Sequence, residues 1–198
     1  MIIGILLAAG RSTRMGTPKQ LLSFGDKTVI ETVVDALLNS RIDDLIVVLG
    51  HERKLIAQQI KEKPLSIVVN SDSNSEMLDS LKCGIRELPK TTHAFILALV
   101  DQPRLETVTI NTLIDSYHES GKKIIIPTHD GRRGHPSLID STYLDEILNL
   151  TGVDGLKPIV RGHINDTLEL EVTQDFIIND MDTQEDYKKE LKKIRKTG

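Results

Sequence analysis

The sequence predicts an α/β fold, a three-layer α/β/α sandwich built around a mostly parallel sheet. Three observations favour it. Short runs rich in Ile and Val are apolar throughout, which is typical of parallel strands covered on both faces. Single segments with apolar residues at helical spacing separate these runs. The regular alternation ends near residue 129, so we expect one or more strands to run antiparallel to the others.

Strands and helices alternate up to residue 128. The predicted strands cover residues 2–7, 44–50, 65–69, 94–100 and 122–128. The predicted helices cover residues 29–40, 53–63, 77–88 and 106–119. Right-handed crossovers between such strands give an open sheet with helices on both faces, and ligands bind outside the carboxyl ends of the strands in such sheets.

The rest of the chain mixes strands and helices less regularly. The segment "HDGRRGHPSLI", residues 129–139, contains two glycines and is expected to be a loop that leads into a further strand. A short helix is predicted at 141–150, strands at 167–173 and 175–180, and a last helix after them. Because the sequence contains no repeat, low-complexity tract or linker, we expect a single domain over residues 1–198.

Composition argues against several classes of function. The formal net charge of the 198-residue chain is −4, which argues against a broad basic surface for nucleic acid. No apolar run approaches the ~20 residues of a membrane-spanning helix, and the apolar N-terminus lacks the positive segment of a signal peptide. With Cys83 as the single cysteine and no H-x-x-x-H pair, neither a disulfide framework nor a zinc site is expected. We expect a cytoplasmic protein without nucleic-acid or membrane partners.

The loop after the first strand, in "GILLAAGRSTRMGTPKQLL", combines glycines with positive charge. Gly10 and Gly16 allow a ligand to approach the backbone closely, and successive backbone N–H groups in such a loop can bind an anion. Arg11, Arg14 and Lys19 add side chains that bind phosphate oxygens. These features predict a polyphosphate site at the carboxyl end of the strand.

Two other nucleotide-binding loops do not match this spacing. The P-loop requires G-x-x-x-x-G-K-[ST], whereas Thr17 follows Gly16 here. The dinucleotide fingerprint G-x-G-x-x-G requires a middle glycine, which is absent between Gly10 and Gly16. An NAD-dependent dehydrogenase is therefore a distant alternative.

The segment "LAAGRSTRMGTPKQLL" resembles the signature L-A-[AG]-G-x-[SG]-x-R-M-x-x-K of nucleotidyltransferases with the glycosyltransferase-A-like fold. Within that superfamily the chain looks most like the molybdenum cofactor cytidylyltransferase family of MobA-like NTP transferases. The resemblance implies the nucleotide-diphospho-sugar transferase fold and transfer of CMP from CTP to the terminal phosphate of molybdopterin, with release of pyrophosphate. It favours CTP because Ala8 and Ala9 match "LAAG", whereas guanylyltransferases usually carry "LAGG".

Further motifs carry the resemblance along the chain. They are "DSLKCG" with Ser80, "LVDQP" with Asp101, "GHP" at residues 134–136 and "NDMDTQEDY" with Asp182. The segment "GVDGLKPIV" matches the family's G-D-x-G-A-R only in part, since Val153 and Lys157 replace its aspartate and arginine. Glu76 and Val100 also stand where the family often has glycine. These departures bear on the identity of the acceptor more than on the nucleotide chemistry.

The resemblance implies roles for residues of each motif. Nucleotide contacts are carried over to Leu7, Ala8, Ala9, Gly10, Arg11, Arg14, Lys19, Ser80 and Asp101. The implied catalytic residues are Arg14, Lys19 and Asp101, the Mg²⁺ ligands are Asp101 and Asp182, and the acceptor contacts are Gly134, His135 and Pro136. Residues 1–104 would accordingly form the NTP-binding half and residues 105–198 the acceptor-binding half.

Two alternatives stay open at this point. The same fold could use GTP, or a sugar-phosphate or polyol-phosphate acceptor. The chain could instead be a non-catalytic nucleotide-binding or cofactor-delivery module for a molybdoenzyme, although the pair of Asp101 and Asp182 favours catalysis. A molybdoenzyme or its chaperone is the protein partner that either interpretation allows.

Overall fold

An eight-stranded sheet runs through the middle of the molecule in the computed structural model, which describes residues 1–12, 15–50, 52–72, 76–152 and 154–194. The strands are β1 (Ile2–Ala8), β2 (Ser23–Phe24), β3 (Lys27–Thr28), β4 (Asp44–Leu49), β5 (Ser66–Val69), β6 (Ala94–Leu99), β7 (Ile124–His129), β8 (Arg132–Arg133), β9 (Ser137–Asp140) and β10 (Thr167–Glu171). The helices are α1 (Val29–Leu38), α2 (Arg53–Ile60), α3 (Met77–Arg86), α4 (Thr107–Ser120), α5 (Leu144–Asn149), α6 (Lys157–Gly162) and α7 (Gln184–Ile194). Short 3₁₀ helices cover Lys19–Leu21, Ser141–Tyr143, Ile164–Asp166 and Asp175–Ile178.

The order of strands across the sheet is β10-β7-β9-β6-β1-β4-β5, with β8 paired to β7 and a separate hairpin of β2 and β3. β1 lies between β6 and β4 and is parallel to both. β9 lies antiparallel between β6 and β7, whereas β10 is parallel to β7. The predicted mostly parallel sheet with an antiparallel strand is confirmed. Its parallel centre brings the carboxyl ends of β1, β4 and β6 to one edge, where ligands bind in open α/β sheets.

Helices cover both faces of the sheet because the side chains of β1 alternate between two hydrophobic cores. Leu6 and Ala8 pack in one core with α1, α2 and α4, and Ile3 and Ile5 pack in the other with α3, α5 and α6. All four side chains are at most 1% exposed, and burial of a large aliphatic side chain contributes about 1.5–3 kcal/mol. The α/β/α sandwich predicted from the sequence is therefore confirmed.

The helices are short, from six to 14 residues, and local signals fix their ends. At the start of α1, the Thr28 hydroxyl accepts a hydrogen bond from the Glu31 N–H, and the Glu31 carboxylate accepts one from the Thr28 N–H at 2.8 Å. α4 ends at Gly121, whose φ of 68° is left-handed. In the described part of the chain, no helix is long and apolar enough to cross a membrane.

One predicted strand is wrong. Residues 175–180 contain the 3₁₀ helix Asp175–Ile178 instead of a strand. Phe176 and Ile177 are consecutive and both pack in the core shared with α1, whereas successive side chains of a strand point to opposite faces. The tight turn therefore buries both apolar residues on one side. The sequence prediction also missed α6 and the β2–β3 hairpin, which are too short to show a period.

Candidate active site

The loop after β1 is held from behind by a buried glutamine. Gln20 is 1% exposed, and its Nε2 group donates to the carbonyl oxygens of Ala8 at 2.9 Å and Gly10 at 3.0 Å. Where the loop returns, the Lys19 N–H donates to the Ser12 hydroxyl at 3.0 Å. The two hydrogen bonds from Gln20 occupy carbonyl oxygens that would otherwise repel an anion, which favours anion binding by the loop.

The Lys19 side chain joins two acidic residues that are distant in the sequence. Its Nζ lies 2.8 Å from Asp101 Oδ2 and 3.0 Å from Asp182 Oδ1. Burial alone would lower the pKa of the ammonium, but the charges and hydrogen bonds of Asp101 and Asp182 raise that pKa above its ordinary value. Lys19 therefore stays charged and offsets the repulsion between the two carboxylates.

Backbone and amide contacts bring Asp182 to Asp101. Asp101 follows β6, and its carbonyl oxygen accepts a hydrogen bond from the Met181 N–H at 2.8 Å. Gln102 Nε2 donates to the Ile177 carbonyl oxygen at 3.0 Å. The segment before α7 is thus fastened to the end of β6, which is the strand beside β1.

The carboxylates of this cluster fit a divalent cation. Asp101 Oδ1 is buried without a hydrogen-bond partner, so a hard oxygen ligand is free. Loss of solvent and the charges of Asp101 and Asp182 raise the pKa of nearby Asp180. Within the described ranges, no group of three or more His, Cys, Asp and Glu side chains is arranged to hold a metal ion. A pair of carboxylates nevertheless suits Mg²⁺, which usually takes one or two carboxylates together with phosphate oxygens and water.

A first cavity, of about 220 Å³, lies between the loop and α3. It is lined by Leu7, Ala9, Gly10, Lys19, Glu76, Met77, Ser80, Leu99, Val100 and Asp101. Ser80 is buried, and its hydroxyl accepts a hydrogen bond from Asn70 Nδ2 at 3.0 Å. A β-carbon at Gly10 would meet no heavy atom within 4 Å, so the backbone there is open to a ligand. The cavity brings most of the predicted nucleotide contacts beside the charged cluster.

Two predicted nucleotide contacts, Ala8 and Arg11, do not present a side chain to the first cavity. The side chain of Ala8 packs in the core shared with α1, and its carbonyl oxygen accepts the Gln20 hydrogen bond. A contact of Ala8 with a nucleotide is therefore limited to its backbone. Arg11 is exposed and does not line the first cavity. Arg14 lies outside the described residues.

The "GHP" residues predicted to contact the acceptor follow β8. The His135 N–H donates to the Ile177 carbonyl oxygen at 3.0 Å, and a β-carbon at Gly134 would lie 2.1 Å from the same oxygen. Only glycine therefore fits at this position. Burial lowers the pKa of His135, although the charge of Asp101 opposes the shift, so the imidazole is neutral at pH 7. Pro136 is buried.

A second cavity, of about 420 Å³, lies beside this loop. Gly134 and His135 line it, together with Met77, Leu97, Ile124, Ile126, Arg133, Ser137, Ile139, Asp154, Gly155, Leu156, Lys157, Val160 and Arg161. Met77 lines both cavities and is 44% exposed. The two cavities therefore meet at the Met77 side chain, and the charged cluster borders the first of them.

Sequence reasoning missed several side chains that organise the site. Gln20, Asn70 and Gln102 carry no charge and act through buried hydrogen bonds. Gln102 lies within "LVDQP", a motif that implied a role only for its aspartate. Neither Gln20 nor Asn70 stands in a pattern that would mark it, and Arg161 lines the second cavity without belonging to a motif.

Comparison with known families connects this geometry to a class of enzymes. The family described as MobA-like NTP transferase domain matches residues 4–168, which include most of β1 and the charged loop after it. The chain belongs to this family. It is a nucleotidyltransferase with the α/β fold of the nucleotide-diphospho-sugar transferases, and the resemblance stated from the motifs is confirmed at the level of the family.

Relatives within the family carry different names. The chain is 33% identical to nicotine blue oxidoreductase of Paenarthrobacter nicotinovorans over 147 residues, and this aligned region covers 71% of each chain. It is 30% identical to molybdenum cofactor cytidylyltransferase of Escherichia coli over 186 residues, and this aligned region covers 92% of each chain. The crystal structure of Rv0371c from Mycobacterium tuberculosis in complex with manganese is similar with a TM-score of 0.83 and 28% identity, over 96% of this chain and 97% of that chain.

Proposed function

We propose that this protein is a Mg²⁺-dependent cytidylyltransferase that transfers CMP from CTP to the terminal phosphate of molybdopterin, or molybdenum cofactor, and releases pyrophosphate. The observation that carries the proposal is the contact of buried Lys19 with both Asp101 and Asp182, where Lys19 and Asp101 line the first cavity. An ammonium and two carboxylates beside an open glycine loop supply the groups that bind an NTP together with its cation.

The proposed reaction joins two anions. A phosphate oxygen of the acceptor attacks the α-phosphorus of the NTP and forms a new P–O bond. The bond from the α-phosphorus to the bridging oxygen breaks, and its electron pair leaves on pyrophosphate. Because the attacking phosphate is already ionised at neutral pH, no general base is required. The rate enhancement would therefore come from positioning of the two substrates and from stabilisation of the charge on the phosphates.

The charged cluster has the side chains for that stabilisation. Lys19 would bind phosphate oxygens near the reacting centre, and Arg14 would bind the β- and γ-phosphates that leave. Asp101 and Asp182 would hold Mg²⁺, which when bound offsets the negative charge on the phosphates. Asp101 Oδ1, which is buried without a hydrogen-bond partner, supports this role.

Neutral side chains would orient the nucleotide. The Ser80 hydroxyl accepts a hydrogen bond from Asn70, which leaves its own proton free to donate to the base or ribose. Gln20 holds the Ala8 and Gly10 carbonyl oxygens behind the loop, so that the loop can receive phosphate. Ala9 and the backbone of Ala8 would lie along the pyrimidine, which favours CTP.

We further propose a division of the chain into two halves. All described residues of the first cavity lie between Leu7 and Asp101, which supports NTP binding by residues 1–104. Most residues of the second cavity follow position 123, which supports acceptor binding by residues 105–198. The acceptor points to a molybdoenzyme or its chaperone as the protein that receives the product, in the cytoplasm.

Several alternative functions would use the same two cavities. GTP as donor, or a sugar- or polyol-phosphate as acceptor, would keep the chemistry and change its specificity. A cofactor-delivery module would bind nucleotide without turnover. The 33% identity to a protein named nicotine blue oxidoreductase favours a redox activity as a second candidate, and quenching of NADH fluorescence on addition of the protein tests it.

A thermal-shift screen with CTP, GTP, ATP and UTP, each with Mg²⁺, tests the nucleotide preference. A ligand that binds only the native state raises the Tm by mass action, so CTP should give the largest increase. Pyrophosphate release with each NTP, with and without molybdopterin, then tests the transfer. Binding of CTP without pyrophosphate release from any acceptor would favour a delivery module, and no response to any NTP would contradict the proposal.

A further inference from the structure

The turn between β6 and α4 places an arginine close to Asp101. The Gln102 N–H donates to the Leu99 carbonyl oxygen at 3.3 Å, and Gln102 is buried, so the turn is tight and well packed. Arg104 lies in the same turn, and its guanidinium carbon is 5.9 Å from the centre of the Phe176 ring. The fold therefore restricts where the guanidinium can lie relative to Asp101.

Arg104 takes part in a closed ring of four ion pairs. Its Nη2 lies 2.6 Å from Asp175 Oδ1, and its Nε contacts Glu190 Oε2. Lys193 Nζ lies 2.7 Å from Asp175 Oδ2 and 3.1 Å from Glu190 Oε1. Each cation thus contacts both acids. The ring joins the turn after β6 to the 3₁₀ helix Asp175–Ile178 and to α7.

This ring of ion pairs holds the chain on both sides of Asp182. Asp175 precedes Asp182 and Glu190 follows it, and one guanidinium contacts both. Thr183, the next residue, exchanges hydrogen bonds with Asp186 at the start of α7. Its N–H and its hydroxyl donate to the Asp186 carboxylate, and the hydroxyl accepts from the Asp186 N–H. A movement of α7 would therefore carry Asp182 with it.

Stability alone is a weak reason for these ion pairs. The side chains of Glu190 and Arg104 are only 6% and 18% exposed, and the hydration that such charges lose on burial offsets much of their attraction. Apolar side chains of similar volume often stabilise a fold equally well. A planar guanidinium that donates to two separate carboxylates, however, also fixes their relative positions, because its donors have fixed directions.

We infer that Arg104 is a positioning residue, which through Asp175 and Glu190 holds Asp182 at the correct distance from Asp101. The inference rests on the proposed function, in which the two aspartates bind the divalent cation. Arg104 lines neither the first nor the second cavity, so it acts on the cation only through the position of Asp182.

Mn²⁺ binding without nucleotide tests the inference, because charge and position predict opposite signs. Loss of a positive charge near the carboxylates would by itself favour binding of a cation. Displacement of Asp182 would weaken binding, by about 10–100-fold as for other groups that orient metal ligands. We therefore expect Arg104→Met to bind Mn²⁺ more weakly than the wild type by this factor. Electron paramagnetic resonance of free Mn²⁺ measures the affinity.

Three further variants locate the effect. Arg104→Lys keeps the charge but lacks the planar fork, so it should show a smaller loss in the same direction, and it replaces Arg104→Met if that variant does not fold. Asp182→Asn weakens Mn²⁺ binding by itself, and Arg104→Met should then add little, since both changes act through one ligand. Asp35→Asn breaks ion pairs of similar burial with Lys27 and Lys63, and should leave the Mn²⁺ affinity unchanged.

Hydrogen exchange detects the position of this segment without any metal. The Met181 N–H donates to the Asp101 carbonyl oxygen at 2.8 Å, which joins the residue before Asp182 to the turn after β6. In Arg104→Met this amide should exchange about tenfold faster than in the wild type, the factor for the loss of one hydrogen bond to a charged group. In Asp35→Asn it should exchange at the wild-type rate. Mass spectrometry of peptides that contain Met181 measures the exchange.

Three results would overturn the inference. They are an Mn²⁺ affinity of Arg104→Met equal to or higher than that of the wild type, a loss that adds in full to that of Asp182→Asn, and unchanged exchange of the Met181 amide. Failure of the proposed function is a separate result, because the wild type would then bind no Mn²⁺. The exchange of Met181 alone would in that case decide whether Arg104 positions Asp182.

Discussion

The two cavities that meet at Met77 are lined by chemically different side chains. The first is bordered by a buried ammonium between two carboxylates, and amide side chains fix its loop backbone and the Ser80 hydroxyl. The second has a buried aliphatic floor and exposed cations at its rim. The first cavity therefore depends on preorganised charge, which tolerates little change. The second depends on shape and on a few surface charges, so its specificity can change at small cost to the fold.

The largest expected effect is the loss of charge from the first cavity. Asp101→Asn and Lys19→Ala should each lower kcat by about 10²–10³-fold, the usual loss for one preorganised charge-stabilising group. Steady-state pyrophosphate release measures it, and circular dichroism shows whether each variant is folded. Lys188→Ala, an exposed change on α7, should leave kcat unchanged. Near wild-type rates in both active-site variants would contradict the assignment of the site.

A second prediction compares one glycine from each cavity. Gly134→Ala should destabilise the fold by about 1–3 kcal/mol or more, as overpacking does, because its β-carbon would lie 2.1 Å from the Ile177 carbonyl oxygen. Gly10→Ala has open space around its β-carbon and should change the free energy of unfolding little while weakening CTP binding. Urea denaturation and thermal shift with CTP measure the two effects. Equal loss of unfolding free energy in both variants would contradict the difference in packing between Gly134 and Gly10.

The third prediction concerns the cation. Since the Lys19 ammonium contacts both Asp101 and Asp182, its positive charge repels a divalent ion that binds other oxygens of the same carboxylates. Lys19→Met should therefore bind Mn²⁺ more tightly than the wild type in the absence of nucleotide, by about tenfold, the factor for about 1.4 kcal/mol of lost repulsion. Electron paramagnetic resonance of free Mn²⁺ measures it. Lys63→Met, which removes a lysine paired with Asp35, serves as control, and unchanged or weaker Mn²⁺ binding by Lys19→Met would contradict the role of the two carboxylates.

The smallest expected effect is a pH dependence of stability that arises from His135, which lines the second cavity. Burial lowers the pKa of His135 in the folded state, so the unfolded chain binds more protons between that pKa and about 6.5. Stability from this residue should therefore be present above about pH 6.5 and fall as pH decreases towards the folded pKa. The Tm of the wild type should drop further than that of His135→Gln between pH 7.5 and 5, by a few degrees at most. Parallel Tm profiles would show that His135 does not titrate differently in the two states.

Strong periodicity made the fold predictable. The apolar runs of β1, β4, β6 and β7 and the helices between them were located within a few residues, because strands covered on both faces consist mainly of apolar residues. The segment that forms the 3₁₀ helix Asp175–Ile178 was predicted as a strand, since a short apolar run does not reveal whether neighbouring side chains share one core.

The site was predictable where charge and motif coincide. Lys19, Asp101 and Asp182 were expected to lie together, and a single ammonium contacts both carboxylates. Gln20, Asn70 and Gln102 could not be identified, because a buried amide acquires its role only when the fold brings it to particular carbonyl or hydroxyl groups. Arg161 became a candidate only when α6 was found beside the second cavity.

One measurement decides whether the first cavity holds an NTP for transfer opposite the two aspartates. The protein is incubated with Mg²⁺, molybdopterin and CTP labelled with ³²P at the α-phosphate, and the acceptor is separated from the nucleotide. We predict that labelled CMP becomes covalently joined to the acceptor with one pyrophosphate released per transfer, and that Asp101→Asn is slower by about 10²–10³-fold. Labelled acceptor formed equally fast by Asp101→Asn, or no labelled acceptor and no pyrophosphate with any NTP, would contradict it.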